Sequence, residues 1–120
     1  MDLRKEIENY VIKNDIKAGA IVACAGCVSE VNIRIADGIS EYNEKRDYEI
    51  VSLQGTVSVN GCHIHIVLSD QSLRTIGGHL KHGCIINTTA EIVILELESF
   101  IFSREMDNET GYPELKISKK

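Results

Sequence analysis

A chain of 120 residues, 43 % apolar and 26 % charged, fits one domain with a modest core. Its formal net charge of −5 argues against a broad basic surface for nucleic acid, because that affinity comes from Lys and Arg neutralising phosphates. No run of ~18 apolar residues occurs, so no membrane-spanning helix is expected. The charged start Met1-Asp2-Leu3-Arg4-Lys5-Glu6 has no secretory apolar stretch, so the expected location is the cytoplasm, with the four cysteines as reduced thiols.

Leu3, Ile7, Tyr10 and Val11 recur at helical spacing with charge between them, which predicts an amphipathic helix over 2–14. Asn14-Asp15 and Ala18-Gly19 read as its exit. Its acidic residues Asp2, Glu6 and Glu8 read as a solvated face. Residues 20–25 are small and apolar, as in a buried strand. Over 28–36, Val31, Ile33 and Ile35 alternate with Asn32, Arg34 and Ala36, and Asp37-Gly38 marks a turn. Residues 41–47 are dense in charge and read as an exposed loop. Residues 48–59 and 62–69 are predicted strands. Residues 70–83 read as a loop, 84–97 as a long strand with Glu96 and Glu98 near its exposed end, and 100–120 as a tail with an Asn-Glu-Thr-Gly turn and one further short strand. Five or more strands with one or two helices predict an α+β fold, mostly antiparallel, in a single domain over 1–120.

The strongest local signal is Cys62-His63-Ile64-His65-Ile66 followed by Gly77-Gly78-His79. Asn60-Gly61 is the favoured pair for a two-residue type I′ turn, which makes the flanking strands a hairpin. That loop length pairs Val59 with Cys62, Ser58 with His63 and Thr56 with His65. His63 and His65 then share one face with Thr56, Ser58 and Gln54, because side chains alternate with period 2. The other face carries Leu53, Val57, Ile64, Ile66 and Leu68. Two imidazoles at that spacing have Cβ atoms roughly 6–7 Å apart and can converge on one divalent cation. His79, delivered by a Gly-Gly bend, would complete a three-histidine metal site with an open position. Zinc is the expected ion, although nickel, cobalt or iron would also accept imidazole. Thr56 and Ser58 are placed to orient the rings through hydrogen bonds. The competing reading is a set of polar histidines bonded to their neighbours.

Beyond these local signals, the runs Tyr48-Glu49-Ile50-Val51-Ser52-Leu53-Gln54-Gly55-Thr56, His63-Ile64-His65, Gly77-Gly78-His79-Leu80 and Ala90-Glu91-Ile92-Val93-Ile94 together resemble the PPC domain (plants and prokaryotes conserved domain). The resemblance covers nearly the whole chain. It implies a compact α/β trimer of the stand-alone prokaryotic type, with a metal, zinc foremost, at His63, His65 and His79. It also implies a DNA-binding or regulatory role. Relatives of this kind usually begin with a strand before the helix; here Asp2-Leu3-Arg4 leads straight into the helix, so a sheet edge is expected to be absent or supplied by another chain. No Arg-Gly-Arg AT-hook core occurs.

The remaining candidates read more plainly. His82, three residues after His79, is a fourth ligand, a general acid/base or, most simply, an exposed loop residue. Cys24 and Cys27 form a lone C-x-x-C on a strand, for which small buried residues are the default. Cys62 falls on the core face, and Cys84 opens a strand. Glu49 and Glu91 are possible acid/base groups, although alternation puts Glu49 away from the histidines. Phe100, Ile101 and Phe102 suit an intersubunit contact, and Lys116, Lys119, Lys120 and Arg104 a local basic patch. The expected function is metal binding through three histidines as a homotrimer, with an unknown small-molecule ligand. The alternative is a zinc-dependent hydrolase or lyase-like enzyme.

Overall fold

The computed structural model describes all 120 residues. One helix, α1 (Leu3–Lys13), precedes seven strands: β1 (Gly19–Arg34), β2 (Glu41–Val57), β3 (His63–Ser69), β4 (Thr75–Leu80), β5 (Ile85–Glu96), β6 (Phe100–Met106) and β7 (Pro113–Lys119). Every strand pairing is antiparallel, so the fold is α+β as expected. No helix is long and apolar enough to cross a membrane.

The α1 N-terminus is capped by the Asp2 carboxylate, which accepts from the Lys5 amide at 3.0 Å and from the Gly83 amide at 2.6 Å. Leu3, Ile7 and Val11 form its buried stripe, each stabilising the fold by about 1.5–3 kcal/mol through burial. Tyr10, which helical spacing assigns to that stripe, lies outside it and is exposed. Asp15, at φ 50°, carries the chain out of the helix.

The sheet runs β2-β3-β4-β1-β5, and β1 also pairs with β2. Strands β1 to β4 therefore close a ring of pairings, which leaves few free strand edges there. The segments 20–25 and 28–34 are one bulged strand, with the register shifting between Val28 and Glu30, and the strand ends two residues before the expected position 36. Residues 41–47 are not a loop: they are the first half of β2, paired with the end of β1 from Arg34↔Glu41 onward. Their charge hides a strand because Glu44, and the hydroxyl of Tyr42 whose ring packs against the core, bond to the Arg74 guanidinium.

Residues 70–83 also differ from expectation, since they contain β4. Gly77 and Gly78 are not a flexible bend. A Cβ at Gly78 would lie 2.6 Å from the Arg34 carbonyl oxygen, and one at Gly77 2.7 Å from that of Ile66. They are glycine because neighbouring backbones pass too close for a side chain. The turn between β2 and β3 spans 58–62, closed by the Ser58 and Gly61 amides bonding each other's carbonyls at 3.1 Å. The register consequently moves by two residues from the expected one: Thr56 opposes His63 and Gln54 opposes His65. A shift of two preserves side-chain parity, so each face keeps its residues.

The tail forms two strands, β6 and β7, as a separate hairpin. It docks on the body through Phe102, whose amide bonds the Lys17 carbonyl and whose carbonyl accepts from the Asn60 side chain, both at 2.8 Å. Phe102 is buried within its own chain, so it is not the intersubunit residue expected.

Candidate metal centre

His63 and His65 project from the polar face of β3, and His79 on β4 is the direct cross-strand partner of His65. Ring centroids lie 5.0 Å (His63–His65), 5.1 Å (His63–His79) and 5.7 Å (His65–His79) apart. One ring nitrogen from each lies within 4.8 Å of the others, so a common ion is within reach of all three. The strands, not a swinging loop, bring the third histidine in. His63 and His65 are exposed and His79 is half-buried.

The donor set fits a divalent transition metal. His79 Nδ1 is buried and has no hydrogen-bond partner, a costly state that coordination would relieve. Burial, followed by the charge of Arg34, pushes the His79 imidazole down to about 4. Burial and the neighbouring His65 likewise lower His63. Both rings are therefore neutral at neutral pH, the form that binds metal.

Thr56 lies opposite His63, and its hydroxyl accepts from Arg104 Nη2 at 3.2 Å. Ser58 does not join the site. It is buried in the turn, where its hydroxyl accepts from the Asn60 amide at 3.0 Å and faces the Gly61 and Phe102 carbonyls. The register shift explains its loss, because the position opposite His63 belongs to Thr56. His82 stands apart from the three, with Nε2 2.6 Å from Glu8 Oε1. Glu49 and Glu91 are exposed and pair across strands with Cys27 and Ala25, outside the cluster. All four cysteines are free thiols, and burial raises each of them, the opposite direction from the lowered thiol of a redox C-x-x-C.

Three arginines surround the histidines, and two of them escaped the sequence reading. Arg34 on β1 is the cross-strand partner of His79. Arg4 on α1 donates to the Leu80 carbonyl at 2.6 Å, the Cys62 carbonyl at 2.8 Å and Glu8 at 3.1 Å. Arg104, read from sequence as part of a basic tail patch, reaches back to Thr56. No spacing rule links residues 4, 34 and 104; only tertiary pairing does.

This combination of a strand-rich sheet, one N-terminal helix and a histidine trio defines a recognisable class of small domain. Residues 1–98 match the Plants and Prokaryotes Conserved (PCC) domain, and the chain belongs to that family. It is 39 % identical over 118 residues to the bifunctional protein GlmU of Synechococcus sp. (strain JA-3-3Ab), covering 98 % of this chain and 19 % of that protein. The chain thus spans about a fifth of the length of the curated relatives it matches. It superposes on a hypothetical protein from Salmonella cholerae-suis with TM-score 0.97 at 33 % identity, over 100 % of this chain and 87 % of that one. A metal-containing protein from Archaeoglobus fulgidus matches with TM-score 0.77 at 26 % identity, over 97 % and 86 % of the two chains.

Proposed function

We propose that residues 1–120 form one metal-binding domain of the PCC family, in which His63, His65 and His79 hold a single divalent ion, zinc in the first instance. The observation that carries this reading is the convergence of three imidazoles on one point, with a buried, unpartnered ring nitrogen on His79. The Archaeoglobus relative, described as metal-containing, supports it. Such an ion would act as a Lewis acid toward an oxygen ligand in its remaining position. Elemental analysis of untagged protein tests the reading. Near-stoichiometric metal in the wild type, lost in His63→Ala, is expected; equal and negligible metal in both would end it.

The domain acts, in this reading, as a cytoplasmic homotrimer that binds a small molecule. The outer edge of β5 has no strand partner, and Val22, Val93 and Leu95 leave exposed apolar surface on β1 and β5. A light-scattering mass of one chain would refute the trimer. The enzymatic alternative, a zinc-dependent hydrolase or lyase, is favoured by one feature: a cavity of about 470 Å³ opens beside His63 and His79. Chelator-sensitive turnover of an ester, amide or phosphate substrate would establish it. DNA binding rests on family resemblance, and the net charge of −5 opposes it. A duplex titration at low salt decides that question, since a phosphate-driven complex is tightest there.

A further inference from the structure

The cavity beside the histidines is lined by three arginines against two glutamates, in a chain whose net charge is −5. Its wall includes guanidinium groups from three separate elements: Arg4 of α1, Arg34 of β1 and Arg104 of β6. The three are in different states. All three nitrogens of Arg4 are bonded, to Glu8, Leu80 and Cys62, so Arg4 is a fixed positive wall. Arg104 makes one side-chain hydrogen bond, from Nη2 to Thr56, and its stem lies over Gly61, where a Cβ would meet its Cγ at 3.5 Å. The Arg34 guanidinium has no hydrogen bond or ion pair in the structure, and its Nε is buried. A buried guanidinium donor without a partner is costly, and an anion is the partner that relieves it.

The acidic groups on the same wall do not fill that role. Glu8 is held by Arg4 at 3.1 Å and by His82 at 2.6 Å. Glu114 is exposed and accepts from the Thr110 hydroxyl at 3.1 Å. The cavity is also completed from outside the family's matched span, which ends at residue 98, because Arg104, Tyr112 and Pro113 come from the β6–β7 hairpin.

We propose that this cavity binds a small oxyanion, a carboxylate or phosphate group, clamped between Arg34 and Arg104. The inference deepens the metal-centre reading and rests on it in placing the rest of the ligand beside His63 and His79. Planar guanidinium groups suit this chemistry because they present paired donors to two oxygens of one anion. Arg4 raises the local potential without surrendering its own bonds.

Calorimetric titration with inorganic phosphate and, separately, with succinate tests the proposal on the full chain, both zinc-loaded and chelator-stripped. Saturable binding of at least one anion is expected, and which of the two binds identifies the source of the oxyanion. Arg34→Gln and Arg104→Gln should each weaken it about tenfold or more, the loss of one charge-assisted hydrogen bond. Lys116→Gln, in the exposed ion pair with Glu105, should leave it unchanged. Arg104 lies on the docked hairpin, so its variant serves if Arg34→Gln fails to fold, with circular dichroism reporting which has happened. Zinc retained by a protein that binds neither anion would overturn this proposal and spare the metal centre. Anion bound by a protein that takes up no zinc would spare the clamp and sink the metal reading. Wild-type affinity in both arginine variants would also overturn the clamp.

Discussion

Two polar clusters lie at opposite ends of β3, and they differ in whether their groups are matched. At one end Arg74 donates to the Tyr48 hydroxyl at 2.6 Å and the Tyr42 hydroxyl at 3.1 Å, and Tyr48 in turn donates to Glu44. Asp70 beside them accepts from the Ser72 and Arg74 amides at 2.8 and 2.9 Å and from Arg46 at 2.9 Å. At the other end, His79 Nδ1 and Arg34 Nε are buried without partners. The first cluster closes on itself and braces β2 against the β3–β4 turn. The second leaves a buried guanidinium donor and a buried ring nitrogen unmatched, a costly state for a scaffold. The first end is braced from within, whereas the second leaves polar groups facing one another unmatched.

Breaking the histidine end should have the largest effect. Removing one of the three rings by His65→Ala should weaken zinc binding by more than the about 10–100-fold that a lost orienting partner costs. Thermal unfolding with and without added zinc checks this. The wild type should gain about 2.7 kcal/mol at a free zinc concentration 100 times Kd, and the variant close to none.

Next in size is Gly78→Ala. Its Cβ would meet the Arg34 carbonyl oxygen at 2.6 Å, a backbone atom that cannot rotate away. Strands β1 and β4 must part, which should cost about 1–3 kcal/mol in a urea titration and displace Arg34 from its partner His79. A loss of stability with zinc affinity intact would show that the histidines tolerate strand movement.

Tyr48→Phe sharpens the comparison from the other side. Tyr48 is 2 % exposed, and burial and then Glu44 push its phenol up to about 12, so it stays a donor throughout the physiological range. Deleting the hydroxyl leaves Arg74 and Glu44 each short of one partner. The expected loss is about 1–2 kcal/mol, with zinc stoichiometry unchanged. A fall in zinc content would mean that the two clusters are coupled.

What could be read from the residues follows a physical pattern. The α1 stripe Leu3-Ile7-Val11 and the His63-x-His65 pair were legible because each needs only a local period, 3.6 or 2. The turn over 58–62 is longer than Asn60-Gly61 alone predicts, yet the histidine face is the expected one because the register differs by two residues and not one. The first half of β2 is hidden because its charges find partners across space, Glu44 with Arg74, Lys45 with Glu30 and Arg46 with Asp70. The strand β4 was hidden because Gly77-Gly78 signals either freedom or crowding, and only the Arg34 and Ile66 carbonyls tell which. Ser58 was lost from the site and Arg34 gained for the same reason: both depend on which residue a neighbouring strand sets opposite a histidine.

The smallest effect separates the clusters by pH. Burial alone would raise the Asp70 carboxyl, but the Ser72 and Arg74 amides and the Arg46 guanidinium outweigh it and hold it below its ordinary value of 3.8. A carboxylate depressed in the folded state contributes stability that is whole above its unfolded pKa and is lost as pH falls through the folded one. Wild-type urea midpoints should therefore decline as the solution is acidified past that value. Asp70→Asn should start from a lower midpoint at neutral pH and decline less steeply, since it has no proton to gain at this position. Parallel curves would mean that other carboxylates carry the acid response. Asp70 would then brace the turn through its hydrogen bonds alone.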